Sequence, residues 1–306
     1  MTSSARIFVL AAATVALLAG GCARDDETPG DPAPPAEAAT ALSVCVSIPP
    51  QAFFVERIGG EDVSVEVLVG PGQSPATYEP TPTQMGTLDA TDVYFRIGVP
   101  FEDTLMDRIA ASMPDLNVVD LRKGIDLQPA GGHDDAHGHG RMDPHTWLDP
   151  DNAAVQARTI KDELTRLHPD SAGLYEANLE ALLSDLELID RDVAEMLEPL
   201  EGRRIFVFHP AFGYFTGAYG LEQMAIEIEG KEPAPRELQR VIELAEREDV
   251  QAIFVQPQFS VASARAIAAE VEAEIIRLDP LARDYLANLR EMARKIRNAL
   301  APRESE

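Results

Sequence analysis

From Leu42 onward, short runs of β-branched and aromatic residues alternate with segments whose apolar positions recur every three or four residues. That is the pattern of a parallel sheet with helices on its faces. Residues 44–48, 63–69, 93–97 and 117–120 read as strands, with helices over 51–58, 83–88 and 101–111. The periodicity stops after Gly124, and the loop to Arg141 carries His133, His137 and His139. A helical pattern resumes over 151–167 and breaks at Pro169. There follows the longest periodic stretch in the chain: Tyr175, Leu179, Leu182, Leu186, Ile189, Val193, Met196 and Leu200. Spacings of four and three place these on one stripe of a single helix. At 1.5 Å per residue, about 30 residues make a rod of ~45 Å, long enough to run along two lobes. A coiled-coil dimer is the competing reading of such a stripe. Past Gly202 the alternation returns, with strands over 204–208, 223–228, 252–256 and 274–278 and helices over 235–248, 262–269 and 281–300. The expected fold is therefore α/β: two lobes, 42–168 and 202–306, each a mostly parallel sheet flanked by helices, bridged by one long rigid helix over 169–201.

The first residues do not fit this pattern. Arg6 precedes an apolar run from Ile7 to Ala19, and small residues lead to Cys22. Roughly 13 apolar residues fall short of the ~20 that span a bilayer, so the run reads as an export signal. Leu17–Leu18–Ala19–Gly20–Gly21–Cys22 resembles a bacterial lipobox in which Cys22 is lipidated after cleavage, with Ala19 where Leu is commoner; a cleaved soluble form is the alternative. Residues 23–41, rich in Pro, Ala and acidic side chains, bury too little apolar surface to fold and read as a tether. Cys45 lies in an apolar run and reads as a buried, inert thiol. Over 306 residues the formal net charge is −26. An excess of that sign and size argues against a nucleic-acid partner and against a basic patch held on anionic lipid.

Three polar residues stand where open α/β sheets place ligands, beyond the carboxyl ends of strands or beside a helix start. His145 lies in Asp143–Pro144–His145, just before the helix that opens at Pro150. The strand 204–208 runs into His209–Pro210, and the strand 274–278 into Asp279–Pro280. Each alone reads as a turn histidine or a capping aspartate. Together, two imidazoles and a carboxylate make a set suited to zinc.

Five segments carry a family resemblance: PGQSPATYEP (71–80), MDPHTWLDP (142–150), FHPAFGYF (208–215), QPQFS (256–260) and LDPLA (278–282). The chain from about Leu42 resembles the metal-binding solute receptors of bacterial zinc and manganese ABC importers. The resemblance implies two α/β lobes bridged by a long helix, with the metal between them. It also implies an extracytoplasmic, membrane-anchored lipoprotein that passes a transition metal to an importer permease, and a monomer rather than a catalyst. His145 and His209 are then the imidazole ligands and Asp279 the carboxylate. His209 stands where manganese receptors tend to carry Glu, which favours Zn2+ over Mn2+.

One position departs from the family pattern: Ala76 occupies a site where a histidine is usual, between Pro75 and Thr77. A methyl group cannot coordinate, and three completions are open. Water, or both oxygens of Asp279, can fill the shell; His133, His137 or His139 can swing in from the loop 131–140, which otherwise reads as a flexible polar segment; or Gln73 or Glu79 can substitute. Two histidines, a carboxylate and a metal-bound water are also the plan of a hydrolytic zinc site, although the chain has no HExxH helix.

Overall fold

The computed structural model describes residues 41–130, 142–227, 235–259 and 262–301. The first lobe holds strands β1 (Leu42–Val46), β2 (Val63–Val67), β3 (Val93–Arg96) and β4 (Val118–Asp120), with helices α1 (Pro49–Gly59), α2 (Pro82–Asp89) and α3 (Phe101–Ser112). α4 (Pro150–Leu167) and α5 (Ala172–Leu197) lead to the second lobe. There the strands are β5 (Arg204–Val207), β6 (Glu222–Ala225), β7 (Ala252–Val255) and β8 (Glu274–Arg277), and the helices α6 (Gly213–Ala218), α7 (Pro235–Arg247), α8 (Ala262–Glu270) and α9 (Tyr285–Leu300).

Both sheets are parallel throughout and share one strand order, β2-β1-β3-β4 and β6-β5-β7-β8. The chain reverses its winding direction between β1 and β3 in one lobe and between β5 and β7 in the other. Such switch points open crevices beyond the strands' carboxyl ends. The second sheet is buried on both faces by period-two alternation. Ile205, Val207 and Phe254 join the large core shared with α5, while Phe206, Ile253 and Val255 form a separate core with Ala245 and Ile267. Strands covered on both sides read as continuous apolar runs, as these do.

α5 spans 26 residues, about 39 Å. Proline-bearing 3₁₀ turns, Pro169–Ser171 and Glu198–Leu200, continue it at both ends, so the helical stretch runs unbroken over 169–200 and matches the expected rod. Its buried stripe is Tyr175, Leu179, Leu182, Leu186, Ile189, Val193 and Leu197. Leu197, four residues after Val193, takes the buried place expected of Met196, which is only partly covered. The stripe packs on α1, α4 and α9, so it is consumed within the chain rather than offered to a second helix of a dimer. α9 adds a second strap between the lobes: Tyr285 packs edge-on against Phe54 of α1 at 4.8 Å, and just before the helix Arg283 pairs with Glu56.

Two local features were not apparent from periodicity. The six-residue helix α6 lies inside the FHPAFGYF motif, and α9 begins at Tyr285 rather than at Leu281. The intervening residues are taken by a turn in which Asp279 accepts from the Leu281 amide, followed by Asp284 capping the Ala287 amide.

Candidate metal centre

His145 is set by its own neighbours. Asp143 Oδ1 accepts from the His145 amide at 2.9 Å and lies 2.6 Å from His145 Nδ1. A carboxylate only accepts, so Nδ1 carries a proton, and in the neutral tautomer that this selects Nε2 keeps its lone pair. Asp143 is in turn held from the second lobe: Tyr214 of α6 donates to its carbonyl at 3.3 Å and accepts from the Gln128 amide at 2.9 Å. The first residue of α6 is glycine for a reason, since a Cβ on Gly213 would stand 3.0 Å from Asp143 Oδ2. Downstream, the turn Thr146–Leu148 delivers the chain to α4, where Asp149 caps the Asp151 amide with Pro150 at the first helical position. Trp147, fully buried, lies 5.3 Å from the His145 ring and donates its indole N–H to the Pro280 carbonyl at 2.8 Å.

His209 follows β5 and is clamped by the QPQF segment after β7. The buried Gln256 amide accepts from the His209 N–H at 3.1 Å and donates to the His209 carbonyl at 2.7 Å. Phe259 stacks on the imidazole, with centroids 4.6 Å apart. Glu227, just past β6, places Oε1 2.6 Å from His209 Nδ1. Burial pushes the pKa of His209 below its ordinary value; nearby His145 acts in the same direction, and the bond to Glu227 opposes them. The result is a neutral imidazole at neutral pH with Nε2 available.

The two rings meet with centroids 5.4 Å apart and planes at 73°. Each carries a carboxylate on Nδ1, and neither Nε2 has a hydrogen-bond partner among the described residues. Asp279 stands just beyond β8, the strand adjoining β7; its Oδ1 accepts from Gln258 Nε2 at 2.7 Å and from the Leu281 amide at 3.0 Å. Among the described residues no three His, Cys, Asp or Glu side chains group tightly enough to hold an ion as they stand. The convergent pair is His145 and His209, and Asp279 is held on the adjacent loop.

The remaining candidates fall outside this pair. Ala76 is exposed, its amide 3.3 Å from Ser74 Oγ. Gln73 turns its carbonyl oxygen back to the Gly70 amide at 2.7 Å, closing its own turn, and Glu79 is exposed. His133, His137, His139 and Cys22 lie outside the described residues. The ends of the histidine loop are tied by an antiparallel bridge between Pro129 and Met142, three residues before His145. Cys45 is buried, and its thiol is pushed up to about 12, chiefly by desolvation, which makes it inert as expected.

Sequence reasoning missed Asp143, Glu227, Gln256, Gln258 and Phe259. The signals were present: an Asp two residues before His145, a Glu interrupting the apolar end of a strand, and a QPQFS motif with no role attached.

The family described as zinc-uptake complex component A, periplasmic (ZnuA), matches residues 44–299. The chain belongs to this family. It is 30% identical to the manganese-binding lipoprotein MntA of Halalkalibacterium halodurans over 246 residues, 79% of this chain and 78% of the relative. To the high-affinity zinc uptake system protein ZnuA of Yersinia pestis it is 28% identical over 264 residues, 78% of this chain and 83% of that one. A crystal structure of a ZnuA deletion mutant with zinc bound shares 40% identity, covers 86% of this chain and all of its own, and superposes with a TM-score of 0.80. The family consists of substrate-binding receptors of metal importers, which sets aside the hydrolytic reading of the same residue set.

Proposed function

We propose that this chain captures Zn2+ between its lobes through Nε2 of His145, Nε2 of His209 and a carboxylate oxygen of Asp279, and hands the ion to the permease of an ABC importer. The observation that carries the reading is the facing imidazole pair, each ring with its proton anchored on a buried carboxylate. Carboxylate-backed imidazoles are more basic toward a metal and are held in the ligating tautomer. Loading brings Asp279 toward the pair. The family and the similarity to named zinc and manganese receptors support delivery to an importer, and the residues favour zinc of the two. Asp143 and Glu227 are committed to the imidazoles rather than offered as the extra oxygen ligands that manganese prefers. The fourth position, where Ala76 stands in the sequence pattern, is filled by water or by a histidine of the loop. Lipidation at Cys22 anchors the receptor outside the cytoplasmic membrane, with residues 23–41 as its tether. No helix among the described residues is long and apolar enough to cross a membrane.

The test is elemental analysis of chain isolated from its own cells, followed by zinc and manganese titration of the metal-free protein and of His145→Ala and His209→Ala. One zinc per chain, lost in both variants, is expected. Recovery of chiefly manganese overturns the metal assignment, and zinc binding undiminished in both variants overturns the site.

A further inference from the structure

We propose that Gln258 is a positioning residue that restricts Asp279 to a single coordinating oxygen, and thereby sets the preference of the site for zinc over manganese; this rests on the receptor reading above. A carboxylate oxygen has two in-plane lone pairs. On Asp279 Oδ1 two donors are already in place, Gln258 Nε2 at 2.7 Å and the Leu281 amide at 3.0 Å. The Leu281 bond is made within the Asp279–Pro280 turn and belongs to the backbone. The Gln258 bond crosses 21 residues of sequence, from the loop after β7 to the loop after β8. It is the contact a side-chain change can remove. With both lone pairs of Oδ1 engaged, only Oδ2 remains for an ion, so two-oxygen binding by Asp279 requires the Gln258 bond to break.

The other end of the same amide bears on the shell as well. Gln258 Oε1 is buried and has no hydrogen-bond partner among the described residues. An unsatisfied buried acceptor is costly, and a water on the ion, adjacent to Asp279, is a donor of the right kind. Gln258 thus closes one route to a higher coordination number and supports a water-completed shell in a chain with Ala76 at the family's histidine position. Zinc takes four ligands in tetrahedral array, whereas manganese favours more numerous oxygen ligands. Holding Asp279 to one oxygen works against the second ion.

The experiment uses Gln258→Met, which keeps length and volume but cannot donate, and Gln258→Ala as a second variant. Thermal melting of the metal-free proteins monitors the fold. Cobalt(II) reports coordination number, because a four-coordinate site absorbs visible light intensely and five- or six-coordinate sites weakly. The wild type should give the intense spectrum. In both variants the absorption should fall, and the zinc-over-manganese preference in competition titrations should narrow by about tenfold, the effect of one moderate interaction. A merely structural role would lower affinity for both metals together and leave the spectrum in place, so that result overturns the proposal for Gln258 alone. Failure of the wild type to bind cobalt or zinc overturns the receptor reading and this inference with it.

Discussion

The indole N–H of Trp147 donates to the carbonyl oxygen of Pro280 at 2.8 Å, with the tryptophan fully buried. One bond therefore joins the turn that carries His145 to the turn that carries Asp279, across 133 residues of sequence. Trp147→Phe keeps most of the packing and strands the Pro280 carbonyl without its donor. The expected outcome is a loss of about 1–3 kcal/mol in stability by denaturant titration, together with weaker zinc binding. Unchanged zinc affinity would show that the bond serves the fold and not the site.

Glu227→Gln tests the carboxylate behind His209. The amide is close to isosteric but no longer an acceptor-only partner for Nδ1–H, so the tautomer loses its anchor. Zinc affinity should fall about 10- to 100-fold while the circular dichroism spectrum stays that of the wild type. An affinity within twofold of wild type would show that Glu227 does not set the His209 tautomer.

The lowered pKa of His209 makes the metal-free stability pH-dependent with a definite sign. Between the lowered folded value and the ordinary 6.5, the unfolded chain binds more protons than the folded one, so stability rises with pH through that window. The contribution is complete above 6.5 and is lost as pH falls toward the folded value. Denaturant midpoints measured from pH 5 to 8 should show this slope, and His209→Gln should flatten it. A slope that survives the substitution must come from another group.

Ala76→His restores the imidazole usual in the family. If it contributes ~1.4 kcal/mol, zinc binds about tenfold tighter. Deletion of residues 131–140 should leave affinity unchanged if water completes the shell, and lower it if a loop histidine does. Competition titrations near pH 7.5 separate the two. If neither change matters, Glu79 becomes the candidate, since Gln73 already spends its oxygen on the Gly70 amide.

α5 and α9 both brace the lobes, the second through Tyr285 against Phe54. Zinc loading should therefore produce small tilts and loop ordering rather than wide closure. Small-angle scattering with and without zinc should give radii of gyration equal within experimental error. A marked contraction would show that the rod bends.

The chain's local chemistry was enough to place most elements and to bring His145, His209 and Asp279 into view. Strand alternation, the stripe along α5, Asp149–Pro150 at a helix start and the polar residues ending β5 and β8 are all properties of neighbours in sequence, which is why they are legible there. The extent of the rod was legible too, since its helical turns run over 169–200. What the sequence could not supply was partnership at a distance. Glu227 lies 18 residues from His209 and Gln256 lies 47 from it, while Tyr214 is 71 residues from Asp143. These pairs exist only because β6 and β7 flank β5 in the second sheet and because α6 is pressed onto the Asp143 turn. The 5.4 Å between His145 and His209 has the same origin: two sheets share α5 as a common wall, and the hydrophobic stripe that builds that wall carries no information about the polar residues it brings face to face.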